Sequence, residues 1–185
     1  DTGTDDVDIT ATSLTVTATG LGSASNTLEV ALDTLTATVG AGGVYLSEAN
    51  ALLVSALTSG GAVSLSTQGG SSQNLTIASL TATGQAVTLS SQGAVLDGDT
   101  GTDDVDITAT SLTVTAAGLG SAGGTLEVAL GSVTGTVGSG GVYLSEADTL
   151  LVSNLSSGGS VSLSTQGGSS QNLTIASLTA TGQAV

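Results

Sequence analysis

The residues best equipped for chemistry form one acidic run, Asp97-Gly-Asp99-Thr-Gly-Thr-Asp103-Asp104-Val-Asp106, with five carboxylates inside ten positions. Calcium takes about six to eight hard oxygen ligands, and a short loop of Asp and Gly supplies carboxylates and carbonyls on a tight turn. The same run opens the chain, where Asp1, Asp5, Asp6 and Asp8 would form an equivalent partial site. The spacing is that of loose Asp-x-Asp loops and lacks the closing bidentate glutamate of an EF-hand. Calcium is the one ion this run could hold, and no cofactor is required. The competing reading is a solvated acidic corner whose charge keeps chains apart.

Other candidates are weaker. Glu48 and Glu146 sit in Tyr-Leu-Ser-Glu-Ala, with Asp148 added in the second copy only. Paired carboxylates can do acid–base work on glycosides, but a polar corner beside a surface tyrosine is the simpler expectation. Thr-x-Thr triplets at Thr10–Thr12, Thr15–Thr17–Thr19, Thr36–Thr38 and Thr81–Thr83 would bind ice if stacked on one flat face. Threonine is also simply a good outward strand residue, and the blocks starting near Val44 and Val87 interrupt the series. Asn74-Leu-Thr76, Asn154-Leu-Ser156 and Asn172-Leu-Thr174 match the glycosylation acceptor pattern.

Composition removes whole branches of function. The chain has no Lys, Arg, His, Cys, Met, Pro, Trp or Phe, and its formal charge is −15. No imidazole base, thiol nucleophile, Schiff-base lysine or ordinary zinc or iron ligand set can be assembled. A surface without cations repels nucleic acid, whose binding draws on Lys and Arg, and anionic membranes likewise. No apolar run approaches the ~18 residues of a spanning helix, so membrane insertion is not expected. Disorder is not expected either, since mean hydropathy is positive and aliphatic residues recur regularly. The reading is of a protein that is not an enzyme.

The elements that must carry these residues repeat. Residues 1–87 recur at 99–185 without insertion or deletion, with 13 differences such as Thr19 to Ala117 and Leu35 to Val133. Two units follow, 1–98 and an incomplete 99–185, read as a window on a longer repetitive protein. Tandem self-similarity points to an array rather than a globule.

Within each unit, apolar and small polar residues alternate, as in Leu28-Glu-Val30-Ala-Leu32, Val44-Tyr-Leu46 and Val63-Ser-Leu65. A period of two is the signature of a strand with one buried face, and Gly pairs punctuate these runs. Leading strands near Ile9, Leu28, Val44, Val63, Val87 and Ile107 give about five steps of roughly twenty residues per unit, the length of one coil in a parallel β-solenoid. At ~4.8 Å per stacked strand, five coils would make each unit about 24 Å long. The absence of proline agrees, because interior strands donate hydrogen bonds on both sides. The fold class expected is all-β, a parallel β-solenoid with both units in one continuous column. The alternative is a string of β-sandwich domains, which would want large aromatics in the core that this chain lacks.

Longer phrases add a resemblance. Gly-Ala-Val-Leu-Asp-Gly at 93–98 leads into Asp-Ile-Thr-Ala-Thr-Ser-Leu-Thr-Val-Thr-Ala at 106–116. Gly-Leu-Gly-Ser at 118–121, Gly-Val-Tyr-Leu-Ser-Glu-Ala-Asp at 141–148 and Gly-Ser-Val-Ser-Leu at 159–163 follow. The whole chain resembles the repeat regions of large bacterial adhesins of the filamentous-haemagglutinin type. That resemblance implies a right-handed β-helix and a secreted or surface-displayed shaft. The chain departs from those proteins in having no Lys or Arg.

The function expected is a non-catalytic segment of a long extracellular or cell-surface fibre: an adhesin shaft, sheath or matrix filament. Its partners would be further copies of the repeat, in cis or end to end, and other cells or surface glycans. The alternatives are a calcium-dependent adhesion module and, less favoured, an ice-binding β-solenoid.

Overall fold

The computed structural model describes residues 6–99, 104–166, 171–181 and 183–185. Among them sixteen strands follow one another with no helix. They are β1 (Ile9–Ala18), β2 (Leu28–Val39), β3 (Val44–Glu48), β4 (Leu52–Ser59), β5 (Val63–Thr67), β6 (Leu75–Ile77), β7 (Leu80–Ser91) and β8 (Ala94–Asp97). The second half adds β9 (Ile107–Ala116), β10 (Gly118–Leu119), β11 (Leu126–Val137), β12 (Val142–Glu146), β13 (Leu150–Ser157), β14 (Val161–Thr165), β15 (Leu173–Ile175) and β16 (Leu178–Ala180).

Every ladder between these strands is parallel, and strands pair with the turn before and the turn after rather than with a hairpin neighbour. The chain is a parallel β-solenoid of about eight turns. Among the described residues no β-sandwich forms, because no antiparallel strand pair closes one; the only antiparallel contacts there are isolated bridges at Ser23–Asn26 and Ser121–Gly124.

The alternation in sequence explains the interior. Val44, Val63, Val87, Leu112, Val133 and Val152 stack in register as one inward row, each 1% exposed or less. Leu57, Leu80, Ile107 and Val128 form another. One turn alone would leave its inward row wet, whereas stacking removes each such side chain from water, worth roughly 1.5–3 kcal/mol apiece. Small aliphatics suffice because the column is narrow.

Corners need tight backbone. Gly22 and its counterpart Gly120 have φ of 70° and 67°, and a Cβ at either would fall 2.3 Å from the carbonyl oxygen of Tyr45 or Tyr143. Only glycine takes such a left-handed turn at no steric cost.

The number of turns per unit departs from the expected five. From Leu46, pairing leads to Leu65, Leu89, Val114 and Gly135 on four successive turns, and to Leu155 on the fifth. Leu144, the counterpart of Leu46 in the second copy, falls between the last two. Each unit therefore spans about four and a half turns. Equivalent strands consequently stand in different rows: β3 stacks with β5, β7, β9, β11 and β13, while its counterpart β12 stacks with β4, β6, β8, β10 and β14 and lies against the first residues of β11. The spacing of leading strands sets Ile107 one turn after Val87. In the column Val87 pairs with Leu112, and Ile107 lies on Leu80.

Candidate metal centre

The acidic run is a widened corner. In the turn before it, Ile77 and Leu80 are joined by two residues. One turn later their register partners are Asp97 and Ile107, joined by nine. Asp97 thus continues the inward row of Val54 and Ile77, both fully buried, and replaces an aliphatic side chain with a carboxylate.

One carboxylate oxygen from each of Asp97, Asp99 and Asp106 lies within 4.8 Å of the other two. Asp97 Oδ1 accepts the amide hydrogen of Asp99 at 2.9 Å. Asp106 is 0% exposed, and its Oδ2 accepts the amide hydrogen of Glu127, one turn on, at 2.8 Å. Its other oxygen, Oδ1, is buried with no hydrogen-bond partner among the described residues. Burial first, then the charges of Asp97, Asp99 and Glu127, push the Asp106 carboxyl up to about 7 against the opposing Glu127 hydrogen bond. Glu127 is itself buried, and its carboxyl is raised by burial and then by the charge of Asp97, against a side-chain hydrogen bond with Asp106. A cleft of about 490 Å³ opens beside Asp97, Asp99 and Glu127, with Ser145, Ser164 and Gln166 from later turns; Asp106 lies behind it and is not part of its lining.

Of the residues expected in this site, the structure unites Asp97, Asp99 and Asp106. Asp104 is exposed and outside the group, and Asp103 lies outside the described residues. In the first copy Asp8 Oδ2 accepts the Glu29 amide at 3.0 Å, the counterpart of the Asp106–Glu127 bond. Asp6 and Asp8 are exposed there, and Asp1 and Asp5 lie outside the described residues. Glu127 was not anticipated. It stands twenty-one residues from Asp106, one turn of the column, and only the register brings the two together.

Glu48 and Glu146 are not surface groups. Both are fully buried, and each carboxylate holds backbone amides: Leu32 and Asn50 for Glu48, Leu130 and Asp148 for Glu146. They clasp a corner from inside, with no access for a substrate. The alternation Val44-Tyr-Leu46-Ser-Glu48 carried the signal, since it puts Glu48 on the inward side with Val44 and Leu46.

Threonines do stack: Thr88, Thr113 and Thr134 pair in succession in one column, and Thr17, Thr38, Thr58, Thr81 and Thr108 in another. The neighbouring column runs Thr15, Thr36 and then Ala56, so the paired rows needed for an ice-binding face stop after two turns. Of the acceptor asparagines, Asn74 spends its side-chain oxygen on the amide of Ala94 at 2.9 Å, whereas Asn154 and Asn172 are exposed.

No helix among the described residues is long and apolar enough to cross a membrane. No protein-family model, no curated protein and no solved structure matches the chain.

Proposed function

We propose that this chain is a length of non-catalytic shaft in an extracellular or cell-surface fibre. The observation that carries the reading is the junction between the units. There β7 of the first unit lies under β9 of the second in parallel register, Leu80 on Ile107 through Ser90 on Thr115, as within a unit. A column whose units join as their own turns do can be lengthened without redesign, which is the property a shaft needs.

One further feature supports it. The uniform negative charge limits sideways association of exposed strand edges. The acidic corner and the exposed Ser/Thr surface leave room for contacts with other cells or glycans.

Electron micrographs of arrays with two, four and six units test the proposal. The expected particles are rods lengthening by about 22 Å per unit, four and a half turns at ~4.8 Å each. Beads on a flexible string, or compact particles of constant width and length, would overturn it.

A further inference from the structure

We propose that the widened corner is a calcium site in which Asp97, Asp99 and Asp106 are ligands and Glu127 completes the acidic wall. The inference goes beyond the shaft reading and does not depend on it.

Three carboxylate oxygens within 4.8 Å of one another have the span of ligands on one ion, since calcium–oxygen distances of about 2.3–2.6 Å place two ligands up to roughly 5 Å apart. Clustered acids alone would say little. The independent observation is Asp106: fully buried, with one oxygen satisfied by the Glu127 amide and the other without any partner among the described residues. A buried carboxylate oxygen left unpaired is costly. In most proteins an Arg, Lys or His would answer it, but this chain contains none of the three. The compensation comes either from a proton, which Asp106 holds up to about 7 and shares with Glu127, or from a cation bound from outside. The donors are all hard oxygens, which selects calcium-like ions over softer metals. The cleft beside them has room for the waters that complete such a shell.

The trio Asp97, Asp99 and Asp106 occurs once among the described residues, so one calcium per 185-residue chain is expected.

Titration calorimetry with calcium chloride, paired with thermal melting in calcium and in chelator, tests the proposal at constant ionic strength. The expected result is saturation near one ion per chain. At a hundredfold excess over Kd, Tm should rise by about 5–10 °C. Asp106→Asn should abolish the calcium response while melting higher than the parent in chelator, because the unpaired buried charge is gone. Asp97→Asn should weaken binding by at least about tenfold. Asp148→Asn, an exposed acid elsewhere, should leave the calcium response unchanged. No heat and no calcium-dependent Tm would overturn the site. So would an equal response in Asp106→Asn and Asp148→Asn, which would mark diffuse screening of a −15 chain. Rod length in micrographs is read separately, so either proposal can fail alone.

Discussion

The carboxylate of Glu48 reaches back to the amide of Leu32 in the preceding turn, with Oε2 and Oε1 at 2.9 and 3.1 Å from that nitrogen. Glu146 does the same for Leu130, at 3.0 and 3.1 Å. Both glutamates are fully buried. Each corner thus satisfies an interior amide hydrogen with a charge rather than with another strand.

Removing the clasp should be expensive. Glu48→Ala or Glu146→Ala strands a buried N–H, and each is expected to lose about 2–4 kcal/mol of stability. Gln keeps one acceptor oxygen and should lose less. Urea unfolding followed by circular dichroism measures both; an alanine variant as stable as its parent would refute the clasp.

The same groups set a pH trend. Burial, first, and the charge of Asp33 hold the Glu48 carboxyl above its ordinary value of 4.5, against the hydrogen bonds from Asn50 and Leu32. Glu146 is raised in the same way, with Asp148 as the nearby charge. The folded chain then binds protons more tightly than the unfolded one. The stability this gives is fully present below 4.5 and is lost as pH rises through the higher folded values. In chelator, Tm should fall from mildly acidic toward neutral pH. Self-repulsion of the remaining acids acts in the same direction, so the discriminating measurement is the double variant Glu48→Gln with Glu146→Gln, whose Tm–pH slope should be flatter. An unchanged slope would remove these glutamates from the account.

Gly135 replaces Ala37 of the first copy, and the two are not interchangeable. Gly135 has φ of 149°, and a Cβ there would fall 1.9 Å from the carbonyl oxygen of Val114. Gly135→Ala should therefore cost more than about 1 kcal/mol, whereas Ala37→Gly costs only about that much through backbone entropy. Matched unfolding curves decide it; equal losses would contradict the close approach.

The acidic corner should be removable without loss of the column. Deleting residues 99–105 leaves Asp97-Gly98-Asp106-Ile107, the length of the Ile77–Leu80 corner one turn earlier. The shortened chain is expected to keep its β-sheet circular dichroism and lose its calcium response. Unfolding of the whole column would show that the insertion is structural.

Much of this was legible from residue order. The alternation in Val63-Ser-Leu65 and its many relatives identifies strands, and near-identical tandem units without proline point to stacking. Asp97, Asp99 and Asp106 were visible as a group because they are close in the chain. Glu127 was not, because its nearness depends on the length of one particular turn. Turn length was also the obscure quantity for the coil count. Pairs of register partners are 18 residues apart between Leu28 and Leu46 but 27 apart between Leu80 and Ile107. Corners absorb that difference, and no local pattern announces how much each corner will take.

The half-turn left over in each unit has a geometric consequence for any chain built from more of them. Successive acidic corners would emerge on alternate sides, like leaves on a stem. Identity of sequence would recur every unit, but identity of aspect only every second one, about 43 Å along the axis at ~4.8 Å per turn. A neighbour lying alongside would meet every other corner and never the ones between. Two parallel rows of charge, staggered by one unit, would give such a shaft a front and a back that look alike.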